Sequence, residues 1–155
     1  MISIIVATDK NGLIGRGSSL PWHFSEDLRY FREKTMGKYV IFGKRTFRSL
    51  GGRLAGRRVI VLSRETDCGF EGVAVVRSKE EALSLAKGEV MVAGGASVYE
   101  QFLKIANRIY LTTIDEEYKG DVYFPRIEKE EWEVVEERVG KDKRLRFKIL
   151  ERKKK

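Results

Sequence analysis

Apolar residues recur with two periods along this chain. Short runs rich in branched and aromatic side chains predict strands at Ile2–Thr8, Tyr39–Phe42, Arg58–Leu62, Val73–Val76, Val90–Ala93, Arg108–Ile114, Trp132–Arg138 and Arg144–Leu150. Helical spacing predicts helices at Phe24–Lys34, Lys44–Leu50, Lys79–Ala86 and Val98–Ile105, the third announced by a capping box, Ser78-x-x-Glu81. Strand and helix alternate through the first two thirds, and the last third is strand only. The pattern therefore predicts an α/β fold: a central, mostly parallel sheet of eight strands with an antiparallel C-terminal edge, flanked by four helices.

One polar position breaks the pattern. Phe24, Leu28 and Phe31 recur at i, i+4 and i+7 on one helix face, and Asp27 falls at i+3 on that face. Ser25, Glu26, Arg29, Arg32 and Glu33 lie off the stripe, so the helix has solvent positions to spare. A carboxylate on an apolar stripe needs a partner or a function. Its alternative is a first-turn acid, favoured there by the helix dipole for ~0.3–1 kcal/mol. This segment alone leaves both readings open.

At 155 residues the chain fits a single domain, 1–155, with no repeat, linker or low-complexity stretch. The lone cysteine, Cys68, has no partner for an internal disulfide and points to a reduced, cytoplasmic protein. Met1 leads straight into a strand, and the apolar start is too short to cross a bilayer, so no membrane association is expected. The net charge of +8 raises the possibility of a nucleic-acid partner. However, four of those charges fall in the run 152–155, read as a disordered tail. Lys44, Arg45, Arg64 and Arg77 instead sit beside strand ends or helix starts, which points to a discrete anion rather than a polymer.

Two turns have the composition of a phosphate cradle: Phe42-Gly43-Lys44-Arg45-Thr46 and Ala93-Gly94-Gly95-Ala96-Ser97. Glycine allows close backbone approach, and free N–H groups at a helix start hold anions. Neither turn is a Walker A or a G-x-G-x-x-G, and both also suit plain strand-to-helix turns.

These pieces join others in a fixed order: Leu20-Pro21-Trp22, Asp27-Leu28-x-x-Phe31, Gly43-Lys44-Arg45-Thr46-Phe47, Gly56-Arg57, Leu62-Ser63-Arg64 and Gly94-Gly95-Ala96-Ser97-Val98-Tyr99. The series resembles the dihydrofolate reductase family from Ile2 to about Leu150. The resemblance implies NADPH-dependent reduction of 7,8-dihydrofolate, by hydride transfer to pteridine C6 with protonation at N5. It implies Asp27, Trp22, Thr112 and Tyr99 as catalytic residues, with Asp27 taking hydrogen bonds from the pteridine and Thr112 supporting it. Ile5, Val6, Ala7, Leu28, Phe31, Leu50, Leu54 and Ala93 are implied on the substrate side, with Arg57 receiving the substrate's α-carboxylate through a bidentate bond. The implied cofactor side comprises Ala7, Ile14, Gly15, Leu20, Gly43, Thr46, Leu62, Gly94, Gly95, Ala96, Ser97, Val98 and Tyr99. Lys44, Arg45, Ser63, Arg64 and Arg77 belong to that side too, the 2′-phosphate being assigned to Lys44, Ser63, Arg64 and Arg77. The Gly94-Gly95 peptide bond is implied to be cis.

The segment Asp9–Trp22, with Gly12, Gly15 and Gly17, resembles the family's loop over the nicotinamide, and long glycine-rich loops in compact domains are commonly lids. Three features depart from the family pattern. Ala93 is smaller than usual, which widens the pteridine end and leaves antifolate binding compatible but not implied. Gly51-Gly52-Arg53 lacks a proline. His23 has no ligand cluster around it and reads as a surface residue, so no metal is expected. The rival enzyme reading is a pyrimidine reductase of the riboflavin pathway, disfavoured by Asp27 in its Pro-Trp context. A rival of another class, a basic nucleic-acid-binding domain, would need aromatics interleaved with Lys and Arg on an exposed sheet face. A monomer is expected, with a dimer as the alternative. Charged residues at 35%, with two Asn, one Gln and one Cys, suggest a thermophilic source, against which stand only two prolines.

Overall fold

The computed structural model describes residues 1–15, 20–52, 54–65 and 69–154. Gly17, Arg53, Cys68 and Lys155, each part of a reading above, lie outside them. The chain runs β1 (Ile2–Asp9), β2 (Leu13–Gly15), α1 (Ser25–Thr35), β3 (Tyr39–Gly43), α2 (Lys44–Ser49), β4 (Arg58–Leu62), β5 (Ala74–Val76), α3 (Lys79–Leu85), β6 (Val90–Val92), α4 (Ala96–Leu103), β7 (Arg108–Ile114), β8 (Val122–Tyr123), β9 (Trp132–Val139) and β10 (Leu145–Arg152). Eight strands form one sheet in the order β5-β4-β3-β6-β1-β7-β10-β9, and only β10 runs against its neighbours. Its central strands are apolar without alternation because helices cover both faces. Tyr30 of α1 and Phe47 of α2 join the core on one face, and Ala82 of α3 with Val98 and Phe102 of α4 join it on the other.

Element bounds move where local hydrogen bonds decide them. Glu81 N donates to Ser78 Oγ at 3.1 Å, but the Glu81 carboxylate reaches back to Arg77 N rather than Ser78 N, so the capping box closes one residue early. α4 starts at Ala96, two residues before the predicted start, because Gly95 takes the extended cap conformation. β2 and β8 pair with each other and were not predicted, since three and two residues show no alternation. β2 also corrects the picture of Asp9–Trp22 as one long connection. The buried Asp9 carboxylate accepts from Asn11 N at 2.8 Å, Leu13 N at 2.9 Å and Tyr118 N at 3.0 Å, pinning the first part of that segment to the end of β1.

The basic tail is also shorter than predicted. Arg152 is the last residue of β10: its guanidinium donates to Ala106 O at 2.9 Å and Leu103 O at 2.6 Å and lies 4.5 Å from the Trp132 ring centroid. The Leu103 carbonyl ends α4, where a cation is favoured. Lys153 N still pairs with Glu131 O at 2.7 Å. A charge run read from composition missed this because its partner carbonyls are far away in sequence.

Just ahead of β6, Glu89 accepts from Ser3 Oγ of β1 at 2.6 Å, Lys38 Nζ just ahead of β3 at 2.6 Å and Tyr110 OH of β7 at 3.1 Å. Burial pushes its carboxyl up, but the hydrogen bonds from Lys38, Ser3 and Tyr110 outweigh it and hold the pKa below the ordinary range. A depressed carboxylate stabilises the fold above its unfolded value of ~4.3 and loses that contribution as pH falls through the folded value. Glu89→Ala leaves three donors short of an acceptor and is expected to cost about 1–3 kcal/mol at pH 7 in urea unfolding. The deficit should shrink below pH ~4, and an equal deficit at both pH values would show that packing, not charge, is at work.

Candidate active site

β3, β4 and β5 end in Gly43, Leu62 and Val76, and their exits deliver Lys44, Arg45, Ser63, Arg64 and Arg77 to one mouth of a single cleft of about 1460 Å³. β1 and β7 lie on the other side of β6 and contribute Ile5, Val6, Ala7 and Thr112. From β4 to β7 is four strand spacings, about 19 Å at ~4.8 Å each, so the cationic and carboxylate regions are well separated along the strand ends. Ligands of open α/β sheets bind there, beyond the carboxyl ends.

The glycine turns meet across the mouth. Gly43 N donates to Gly94 O at 2.7 Å, and the Gly94-Gly95 peptide is cis. A Cβ on Gly95 would lie 2.9 Å from Thr46 Oγ1, and one on Gly43 would lie 3.2 Å from Val98 Cγ2. No side chain fits at Gly95 without displacing Thr46, so glycine here lets the starts of α2 and α4 approach closely. Leu62, Ala96, Ser97 and Val98 complete this wall, and Ile14, Gly15 and Leu20 reach the same cleft from the β2 side.

In the carboxylate region the Thr112 hydroxyl donates to Asp27. Burial raises the Asp27 carboxyl above its ordinary value, the Thr112 bond opposes that, and the negative charge of Glu26 adds to the rise. Tyr99 is buried with its OH donating to Ile5 O at 2.8 Å, so its proton is committed to the backbone and the side chain serves as wall. Trp22 is buried with its ring centroid 5.2 Å from Tyr118. Arg57 donates to Thr35 Oγ1 at 3.2 Å while its buried Nε has no partner. Burial, then the nearby Arg32 charge, lowers its pKa, a position suited to a ligand carboxylate.

Every residue proposed from the sequence for catalysis, substrate or cofactor lines this one cleft, Leu54, Phe31 and Ala93 included. The buried stripe of α1 is nevertheless corrected. Leu28 is 50% exposed and Phe31 half-buried, whereas Tyr30 is the buried apolar side chain of this helix. Of the stripe, Phe24 packs in the core while Leu28 and Phe31 line the cleft, so ligand-facing residues continue a core pattern. Leu50, at 46% exposed, follows the same rule. Glu26, read as a solvent position, accepts from Lys141 N at 2.8 Å and Asp142 N at 3.0 Å and so fixes the start of α1 to the β9–β10 turn. His23 is exposed at the cleft. Arg32, Arg48, Glu65 and Val122 are among the residues that line it unforeseen; Arg32, read above as off the stripe, lies four residues beyond Leu28 and reaches the cleft with it. Gly51 and Gly52 have φ of +84° and +70° and donate their N–H groups to Arg48 O and Phe47 O, so neither position would take the absent proline. Among the described residues no group of three His, Cys, Asp or Glu side chains could hold a metal ion, and no helix is long and apolar enough to cross a membrane.

Fold and cleft together define an α/β protein built to hold an extended anionic ligand beside a second molecule that meets a single carboxylate. A family model described as dihydrofolate reductase matches residues 1–153. Dihydrofolate reductase of Bacillus subtilis is 40% identical over 142 residues, 90% of this chain and 84% of its own. The type 3 enzyme of Salmonella typhimurium is 43% identical over 138 residues, 88% and 85% of the two chains. A solved structure, dihydrofolate reductase from Enterococcus faecalis complexed with NADP(H) and RAB-propyl, superposes with a TM-score of 0.90 at 34% identity, covering 99% of this chain and 97% of its own. The chain belongs to the dihydrofolate reductase family.

Proposed function

We propose that this cleft carries out the NADPH-dependent reduction of 7,8-dihydrofolate to tetrahydrofolate. The observation that carries the reading is one partly buried carboxylate, Asp27, in the same cleft as a cluster of four cations about four strands away. The residues present fit the cofactor: Gly43 and Gly95 bring the N-terminal ends of α2 and α4 to the cleft wall, and Lys44, Arg45, Arg64 and Arg77 offer positive charge to a phosphate. When bound, NADPH supplies the hydride that reaches pteridine C6.

The chain's own groups supply position and field. Asp27, oriented by the Thr112 hydroxyl, accepts hydrogen bonds from the pteridine N3 and 2-amino group. Its charge favours the protonated substrate, so that N5 takes its proton from solvent at less cost. Trp22, Tyr99 and Ile5 exclude water from one side of the ring. Arg57, with Nε still unsatisfied, holds the substrate's α-carboxylate. Reduction with NADPH deuterated at the transferring position should give tetrahydrofolate labelled at C6, and label at another carbon would contradict this orientation.

Cytoplasmic location, read from the lone Cys68, and a monomeric state belong to the same proposal, and gel filtration tests the second. A thermophilic source is supported by charge contacts distant in sequence, Lys38–Glu89 at 2.6 Å and Arg108–Glu151 at 3.2 Å, added to the scarcity of Asn and Gln. Cooperative unfolding is expected above the ~45–65 °C usual for mesophile domains, and a scanning-calorimetry midpoint inside that range would remove this part of the proposal.

A further inference from the structure

One acid stands among the cations at the phosphate mouth. Lys44 Nζ is ion-paired to the Glu65 carboxylate, and Glu65 N donates to Ser63 Oγ at 3.1 Å. Glu65 thus engages two of the residues assigned to the 2′-phosphate. The hydrogen bond and charge of Lys44, with the charge of Arg48 adding less, keep its carboxyl below the ordinary range, so it is ionised at neutral pH. The Lys44 side chain is only 20% exposed whereas that of Glu65 is 64% exposed, so the cation is held in the wall and the acid lies over it from the solvent side.

A phosphate arriving at Lys44 meets that carboxylate. Either Glu65 leaves the ammonium and the pair is lost, or two anions share one cation at contact distance. Both outcomes reduce the gain from the phosphate, and neither touches a cofactor that has a 2′-hydroxyl instead. We propose that Glu65 is a specificity-determining residue that competes with the 2′-phosphate of NADPH for Lys44 and thereby narrows the preference for NADPH over NADH. The proposal rests on the reading of this mouth as the 2′-phosphate site.

The test measures dissociation constants of NADPH and NADH, by quenching of tryptophan fluorescence, for the wild-type protein, Glu65→Gln, Lys44→Gln and the double variant. Glu65→Gln should tighten NADPH by ~3- to 10-fold, the scale of one like-charge contact in water, while NADH moves less than twofold. The gain should shrink at high ionic strength and fall by more than half in the Lys44→Gln background, since Lys44 is what the two anions compete for. Looser NADPH binding in Glu65→Gln would show that Glu65 holds Lys44 in place for the phosphate, and would overturn the proposal. Equal shifts for both cofactors would overturn it too, placing Glu65 against a part they share. Lys44→Gln separates the levels. If it fails to weaken NADPH relative to NADH, the site reading falls. If it does weaken NADPH while Glu65→Gln leaves the ratio unchanged, only the competition falls.

Discussion

Asp27→Asn should lower turnover at pH 7 by ~10² or more and at the same pH raise the melting temperature. Both effects have one cause. Burial, only partly opposed by the Thr112 hydrogen bond and increased by the Glu26 charge, raises the Asp27 carboxyl above its unfolded value of ~3.9. An acid with a raised folded pKa binds more protons folded than unfolded. It therefore costs stability above its folded pKa, and that cost disappears as pH falls below the unfolded value. Asparagine keeps the shape and removes the charge, so the gain in melting temperature should be present at pH 7 and absent near pH ~3. Turnover should recover in part at low pH, where solvent protonates N5 without help. A variant as active as the wild type at pH 7, or less stable there, would reduce Asp27 to a first-turn acid.

NADPH should be preferred over NADH by ~10²–10⁴. Two charge-assisted hydrogen bonds to the 2′-phosphate at ~1.5–3 kcal/mol each give that range, at 1.4 kcal/mol per decade. Arg64 is exposed at the mouth, whereas Lys44 is already engaged by Glu65, so Arg64 should carry much of the difference. Arg64→Ala is expected to lower kcat/KM with NADPH by ~10-fold or more and to change that with NADH little. Equal losses with both cofactors would mark Arg64 as structural.

What the sequence made legible follows from where the physics is local. Strands β3, β4 and β7 were readable because continuous apolar runs leave no other home, and α3 because Ser78 caps its own Glu81. Asp27 stood out because a carboxylate on an apolar stripe conflicts with its neighbours. The conflict was real but its setting was misread: Leu28 and Phe31 face a cleft, and periodicity cannot distinguish a surface that buries against protein from one that meets a ligand. Interactions across long sequence separations were invisible. Glu26 with the β9–β10 turn, Arg152 with the end of α4 and Glu65 with Lys44 each join residues whose spacing carries no periodic signal. β2 is too short for three residues to alternate, although Asp9 holds its first residue through Leu13 N.

The most direct measurement is the loss of NADPH absorbance when dihydrofolate is added to the wild-type protein, beside the aminopyrimidine substrate of the riboflavin pathway. Turnover is expected with dihydrofolate and none with the pyrimidine. A folded sample that binds NADPH, leaves dihydrofolate unreduced and reduces the pyrimidine would contradict it.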